Sequence, residues 1–265
     1  MTKDNRINQF GNEDRDSEHA INFDIIGRVS SPYKEKFAIP RQPGLVTAAT
    51  GKITLLNHAN NLELVRGLEQ FSHIWLLFVF HATKQQGWKP LVRPPRLGGN
   101  KKLGVLSTRS TFRPNPIGMS VVSLNKVMLI NKQVEIHVSG LDLLDQTPIV
   151  DIKPYIPYSD AIPAAQAGFA QEQPNDNLTV IFTTQTIDFL LNLSTEFPDL
   201  KCLIEQVLEQ DPRPAYKQKK SHRMNKDTLE DLTLIDNKVY GIRLYQFNIK
   251  WRLISASKVE VFDIH

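Results

Sequence analysis

The sequence predicts a mainly β N-terminal domain, an antiparallel barrel-like sheet, followed by a small C-terminal α+β domain. Short runs of β-branched and aromatic residues, separated by Pro and Gly, fill the first 160 residues. No long amphipathic helix alternates with these runs, which disfavours a doubly wound parallel sheet. Apolar residues at helical spacing begin only at Ile187.

The N-terminal part contains six predicted strands. They cover residues 25–29, 51–56, 73–81, 104–107, 119–129 and 133–138. Asn131 and Lys132 separate the last two strands, and this spacing predicts a tight hairpin. At most one short helix is expected in this part.

The character of the chain changes over residues 159–177, where alanine, proline and polar residues crowd together as in a linker. A strand is predicted at 178–184, helices at 187–193 and 200–208, and one long strand at 239–251. We therefore expect a mobile extension over 1–21, a barrel domain over 22–162 and an α+β domain over 163–265.

Several classes of protein are excluded or disfavoured. The longest apolar run, 74–80, has seven residues, whereas a spanning helix needs about 20, and the first twenty residues lack the pattern of a secretory signal. Cys202 is the only cysteine, so an internal disulfide is excluded, and the seven histidines lack ligand spacing. Glycine-rich nucleotide motifs and peptidase or hydrolase motifs are absent. We expect a cytoplasmic protein without a membrane segment or a metal.

Positive charge is concentrated in two stretches. Residues 70–134 contain no Asp or Glu but hold ten cations: Lys84, Lys89, Arg93, Arg96, Lys101, Lys102, Arg109, Arg113, Lys126 and Lys132. Residues 212–226 carry six more, again without an acid. A solvated surface explains either cluster alone, but both together favour nucleic acid or another phosphate-bearing ligand.

Four segments combine stiff backbone with polar side chains. Prolines fix the loops 38–44, 104–118 and 211–216, each of which contains arginine. Such loops suit a carboxylate, ribose or phosphate, although surface turns and connectors are alternatives. The fourth segment, 141–155, holds Asp142, Asp145 and Asp151, which suit hydrogen bonds to ribose or an amine, proton transfer, or ordinary turn formation.

Six motifs resemble the TsaA-like family. They are SPYKEKF (31–37), PRQPG (40–44), RPPRLGG (93–99), TRSTFRPNPIG (108–118), DIKPY (151–155) and DPRPAY (211–216). The resemblance implies a β-barrel methyltransferase domain, a small α+β domain and a homodimer. It also implies S-adenosylmethionine (SAM) as cofactor and, as substrate, N6 of threonylcarbamoyl-adenosine beside the anticodon of threonine tRNAs.

The resemblance also implies the cofactor pocket. Carried over by position, the pocket residues are Pro40, Arg41, Gln42, His81, Ala82, Arg109, Met119, Ser120, Leu143, Leu144, Asp145 and Gln146. Gln146 stands where family members carry glycine, so a requirement for positive φ would strain the backbone there.

The substrate side of the site is predicted from residue type and position. Asp151 is the candidate proton acceptor for N6, with Lys153 and Tyr155 orienting the substrate. Arg113, Asn115, Arg213 and Tyr216 are candidates for tRNA contact. The rival interpretations are an RNA-binding module that holds SAM or another small anion without turnover, and a methyltransferase for a protein or metabolite.

Overall fold

The computed structural model of the chain describes residues 21–98, 100–172, 178–213 and 238–265. The first twenty residues of the predicted extension and most of the second basic cluster lie outside this range. Among the described residues, no helix is long and apolar enough to cross a membrane.

A closed six-stranded barrel forms the N-terminal part, which confirms the predicted fold class. In chain order the strands of this part are β1 (Gly27–Ser30), β2 (Thr50–Leu55), β3 (His73–Val79), β4 (Leu91–Val92), β5 (Leu103–Gly104), β6 (Ile117–Ile130), β7 (Gln133–Ser139) and β8 (Pro148–Pro154). The barrel order is β1-β2-β7-β6-β3-β8, with every neighbouring pair antiparallel, while β4 and β5 form a separate two-stranded sheet.

The barrel interior follows from the two-residue alternation of side chains along each strand. On β3, Ile74, Leu76 and Phe78 are buried, while the residues between them face outward. Ile53 and Ile136, opposite each other on β2 and β7, are fully buried. The outer wall is therefore free to carry polar and charged side chains.

The predicted hairpin at Asn131 and Lys132 joins β6 to β7. Both residues have positive φ, 50° and 66°, as the two central residues of a type I′ turn require. β6 is long enough to pair with β3 in its first half and with β7 in its second.

Two details of the predicted barrel are wrong. The expected strand at 104–107 is mostly a 3₁₀ turn over Val105–Ser107, because the chain leaves the short β4–β5 ladder after Gly104. β8 was not predicted, because Asp151 and Lys153 on its outer face and prolines at its ends obscure the apolar alternation.

The C-terminal part is a small α+β unit, as predicted. Its elements, after the single helical turn α1 (Pro157–Asp160), are β9 (Thr179–Phe182), α2 (Thr184–Asn192), α3 (Leu200–Glu209), β10 (Tyr240–Leu244), β11 (Phe247–Ser255) and β12 (Lys258–Ile264). The sheet order is β10-β11-β12-β9, with only the β12–β9 pair parallel. The strand predicted at 239–251 is in fact the hairpin β10–β11, because the chain turns at Tyr245, where φ is 52°.

The two parts are joined by direct contacts. Tyr33 forms a β-bridge with Leu244, and the amide of Tyr245 donates a 2.8 Å hydrogen bond to the Pro32 carbonyl. The side chain of Gln206 on α3 accepts a 2.9 Å bond from the amide of Ala48. The loop between β1 and β2 is therefore held by the C-terminal unit.

Candidate active site

One mouth of the barrel collects most of the predicted cofactor residues. β1, β3 and β7 end there, while β2, β6 and β8 begin there, because neighbouring strands are antiparallel. His81 follows the end of β3, Met119 and Ser120 lie near the start of β6, and the turn Leu143 to Gln146 precedes β8. The loop that contains Gln42 joins this end through Gly44, whose amide donates to the Gly140 carbonyl at 3.0 Å.

Arg109 connects two of the proline-rich loops. Its Nη1 donates a 2.5 Å hydrogen bond to the side-chain oxygen of Gln42, although the two residues are 67 positions apart. The structure thus brings an exposed guanidinium and a side-chain amide together, as the sequence resemblance predicts for a cofactor pocket.

Asp142 lies at the barrel mouth, and the sequence interpretation noted it without assigning it a role. Its Oδ1 accepts a 2.7 Å hydrogen bond from the hydroxyl of Ser120. Burial raises the pKa of Asp142 to about 6, and the Ser120 hydrogen bond and the positive charge of Arg109 offset only part of that rise. In the sequence, its position directly before the predicted pocket residues 143–146 was the signal that could have assigned it to the mouth.

The turn Leu143 to Gln146 is rigid. The carbonyl of Leu143 accepts a 2.7 Å bond from the Ser31 hydroxyl, and the side chain of Asp145 accepts from the Ser31 amide at 2.9 Å and pairs with Lys34 at 2.6 Å. Leu143 is buried in the core, and Leu144 is half-buried with its carbonyl bonded to Thr147. This turn therefore offers a fixed shape, since its polar groups are already engaged by the barrel.

Gln146 has a φ of 62°. The strain expected from a non-glycine residue at positive φ is therefore present. Its amide donates to the Val29 carbonyl at 2.8 Å, and its carbonyl accepts from Arg28 at 3.1 Å. Both bonds use the main chain, so the side chain has no part in holding this conformation.

His81, Ala82 and Met119 occupy the rim. Burial lowers the pKa of His81, and the nearby charge of Arg28 adds to this effect, while a hydrogen bond to the Val79 main chain offsets part of it. Ala82 is exposed, and Met119 is 53% exposed. Met119 and Ser120 lie on opposite faces of β6, with Ser120 alone facing Asp142.

The predicted substrate residues of β8 lie on the outer wall. Leu77 is opposite Met119 on one side and Asp151 on the other, so the three side chains form one row across β6, β3 and β8. Asp151 accepts a 2.9 Å bond from the Ile152 amide and pairs with Lys153 at 2.8 Å. Its side chain is 43% exposed, so the carboxylate is open to an approaching ligand.

Tyr155 extends this outer wall. Its ring lies 5.9 Å from that of Trp75 and 6.3 Å from that of His73. The Trp75 ring is fixed in turn by a 2.9 Å bond to Asp160. These aromatic rings form a platform beside Lys153.

The loop 108–116 is organised by one of its own arginines. Arg113 donates from Nη1 to the Thr108 carbonyl at 2.8 Å, so part of its guanidinium stabilises the loop. Asn115 is exposed at the end of the loop. Of this pair, Asn115 has the more accessible side chain.

Arg213 is buried, in contrast to what a tRNA-contacting arginine would show. It forms two hydrogen bonds with Asp211, at 2.7 and 2.6 Å, and the pair lines a cleft of about 240 Å³ together with Pro40 and Arg41. Pro40 and Arg41 therefore line this cleft, whereas the side chain of Gln42 bonds Arg109 at the barrel mouth. Tyr216 lies outside the described residues.

The donor set fits the predicted cofactor. A zwitterionic amino acid linked to a ribose needs a cation, a carboxylate and hydrogen-bonding groups, and Arg109, Asp142 and Gln42 supply these at the mouth. Within the described residues, no group of three or more His, Cys, Asp or Glu side chains is arranged to hold a metal ion.

Comparisons with known proteins identify related sequences and structures. The model of the tRNA-methyltransferase O N-terminal domain matches residues 28–161, and that of the TrmO C-terminal domain matches residues 175–265. An Escherichia coli K12 relative named tRNA (adenine(37)-N6)-methyltransferase is 49% identical over 92% of this chain and 98% of its own. A Pseudomonas aeruginosa relative, RcsF, named for SAM-dependent methyl transfer, is 41% identical over 90% and 95%. The crystal structure of TrmO from Pseudomonas aeruginosa superposes with a TM-score of 0.74 at 34% identity, covering 94% of this chain and 99% of that one.

Proposed function

The chain belongs to the tRNA-methyltransferase O family, and from this membership we propose that it methylates N6 of N6-threonylcarbamoyladenosine in threonine tRNAs. It is an S-adenosylmethionine-dependent tRNA (adenine(37)-N6)-methyltransferase. The threonylcarbamoyl group and the threonine specificity are supported by the sequence resemblance.

One observation carries the proposed cofactor site. Arg109, Gln42, Ser120 and Asp142 come from four separate parts of the chain and converge at the barrel mouth. We assign Arg109 to the carboxylate of the cofactor, with Gln42 orienting the guanidinium. Pro40, Arg41, His81, Ala82, Met119 and the 143–146 turn complete the proposed pocket.

SAM supplies a methyl group on a sulfonium, which is already a good leaving group. The protein residues therefore have two tasks, to align N6 and to accept its proton. The lone pair of N6 is delocalised into the adenine ring, so an acceptor for the N6 hydrogen makes the nitrogen a better nucleophile.

We assign the acceptor role to Asp151. Its carboxylate is half-exposed on the outer wall in the same row as Met119, and Lys153 pairs with it at 2.8 Å. Lys153 and Tyr155 orient the substrate, with the Tyr155 ring available to stack on a base. Asp142, half-buried and bonded to Ser120, links the start of β6 to the 143–146 turn.

Contacts to the remainder of the tRNA are assigned to the proline-pinned loops. Asn115 is exposed, and Arg113 retains donors beyond those used within its own loop. Arg213 is buried and paired with Asp211, so we assign it a positioning role at the cleft that it shares with Pro40, and we assign a direct tRNA contact to Tyr216. We further propose a homodimer, a cytoplasmic location, a cofactor-binding unit over 22–162 and a tRNA-contacting unit over 163–265.

The experiment is nucleoside mass spectrometry of tRNA incubated with the protein and SAM. We expect a gain of one methyl on the hypermodified adenosine of threonine tRNAs. Methylation of tRNA that lacks the threonylcarbamoyl group would overturn the substrate proposal. If SAM with a labelled methyl group is used, label found in protein and not in RNA would favour the rival protein methyltransferase. No transfer of the methyl group at all would favour the non-catalytic module.

A further inference from the structure

A second cleft lies on the outer wall of the barrel, away from β3 and β8. It has a volume of about 380 Å³ and is lined by strands β1, β2, β7 and β6 together with Lys34 and Tyr245. In the closed barrel order, β2 and β7 are on the opposite side from β3 and β8. The cleft is thus distinct from the row that contains Asp151.

The floor of this cleft is a row of side chains set by strand register. Lys52 on β2 is opposite Ser30 on β1 and His137 on β7, and His137 is in turn opposite Lys126 on β6. Four neighbouring strands therefore present one polar or basic residue each on the same face. Asn125, at the bulge of β6, lines the cleft beside this row and bonds to Ser139.

The charges in the cleft do not cancel. Lys34 pairs with Asp145 at 2.6 Å and Lys52 pairs with Glu135 at 2.6 Å, whereas Lys126 is exposed and has no carboxylate within ion-pairing distance among the described residues. Three lysines thus face two carboxylates, so these five groups leave an excess of one positive charge. The Nε2 atom of His137 lies 3.2 Å from Glu135, so Nδ1 is the ring nitrogen not directed to that carboxylate.

We propose that this cleft, formed by Lys126, Lys52, His137 and Asn125, binds a backbone phosphate of the tRNA. The inference rests on the proposed function, since it assumes that tRNA is the substrate. A phosphate carries one negative charge and accepts several hydrogen bonds, and lysine ammonium, imidazole and amide groups are donors for it. Lys34, which also lines the cleft, pairs with Asp145 of the turn at the mouth, so a phosphate bound here keeps the RNA beside the proposed cofactor pocket.

The test replaces the lysine that has no ion pair. Lys126→Gln is expected to weaken tRNA binding about fivefold or more in filter binding at low salt. It should also lower the slope of log affinity against log salt by about 1, since one phosphate contact is lost. Lys132→Gln is the matched control, because Lys132 is an exposed lysine of the same β6–β7 pair but lies in the hairpin at the end of the barrel away from the mouth. Lys126→Arg should retain most of the affinity.

The outcomes separate this proposal from the proposed function. Wild-type affinity and salt slope in Lys126→Gln would overturn the phosphate site, and so would an equal loss in Lys132→Gln, which would indicate non-specific attraction. SAM affinity, measured by calorimetry, serves as the check on folding and should match the wild type in both variants. If the wild-type protein binds tRNA through this cleft but transfers no methyl group, the result contradicts the proposed function and supports the phosphate site.

Discussion

The hydroxyl of Ser120 donates a 2.7 Å hydrogen bond to the half-buried carboxylate of Asp142, 22 positions along the chain. This contact ties the start of β6 to the segment that leads into β8. Together with the bond between Arg109 and Gln42, it defines the barrel mouth.

The first prediction concerns Asp142→Asn and pH. Burial raises the pKa of Asp142 from 3.8 to about 6, so the contribution of this group to stability is present below pH 4 and is lost as pH rises through 6. The loss is ~3 kcal/mol in order of magnitude. Asparagine can still accept from Ser120 but carries no charge. We therefore expect the variant to gain stability relative to wild type between pH 4 and pH 7.5, as measured by urea unfolding.

Asp188→Asn is the control, since Asp188 is an exposed carboxyl on α2. It should track the wild type at both pH values. The same stability difference for Asp142→Asn at pH 4 and at pH 7.5 would contradict the assignment.

The second prediction concerns Arg109→Ala. A charge-assisted hydrogen bond contributes about 1.5–3 kcal/mol, so loss of the guanidinium should weaken SAM binding roughly 10- to 100-fold in calorimetry. Because Arg109 is exposed, the melting temperature should change little. Arg66→Ala, another exposed arginine, provides the comparison, and unchanged SAM affinity in Arg109→Ala would remove this residue from the pocket.

The third prediction concerns Asp151→Asn. If Asp151 accepts the N6 proton, single-turnover methyl transfer should slow by about 10²-fold or more, with SAM affinity retained. Asp160→Asn is the matched control, because Asp160 is a nearby carboxylate that bonds Trp75 and lies outside the row. Normal single-turnover rates in Asp151→Asn would place the acceptor elsewhere, with Asp142 as the next candidate.

The fourth prediction concerns Gln146→Gly. Glycine adopts a φ of 62° without the steric cost that a side chain incurs there, a difference of about 1 kcal/mol. The two main-chain bonds of this residue are kept, so the variant should melt at a higher temperature. Gln146→Ala retains a Cβ atom and should show no comparable gain, and a fall in stability for Gln146→Gly would show that the side chain matters.

The fifth prediction concerns Arg213→Met. Removal of one partner from a buried ion pair leaves the other charge uncompensated, at a cost of about 3–5 kcal/mol. The variant should therefore lose that much unfolding free energy in denaturant titrations. Arg252→Met provides the contrast, since its pair with Glu260 is half-exposed. A stable Arg213→Met protein with weakened tRNA binding would instead support direct RNA contact by Arg213.

The sequence predicts those parts of the fold whose signals are local. The hairpin at Asn131 and Lys132 needs only two turn residues between two apolar runs, and both helices show a regular apolar spacing. The turn at Tyr245 escapes detection because a tyrosine at positive φ has no turn signature. β12 was missed as well, since its short alternating run follows directly on β11.

In the candidate site, too, local features can be predicted from the sequence, whereas contacts between distant segments cannot. Proline-pinned loops with arginine are visible in the sequence, and the family resemblance places Gln42 and Arg109 in one pocket. The bond between Ser120 and Asp142 depends on how β6 and the 142–146 segment meet in the barrel, which no local pattern encodes. Arg213 could not be recognised as buried, because its pairing with Asp211 depends on a turn at positive φ.

Because the side chain of Gln206 accepts a hydrogen bond from the amide of Ala48, both halves of the molecule hold the loop between β1 and β2. A chain cut after the barrel would keep every barrel strand yet lose the anchor of the segment that carries Pro40 to Gln42. The position of that segment therefore depends on α3 as well as on the barrel.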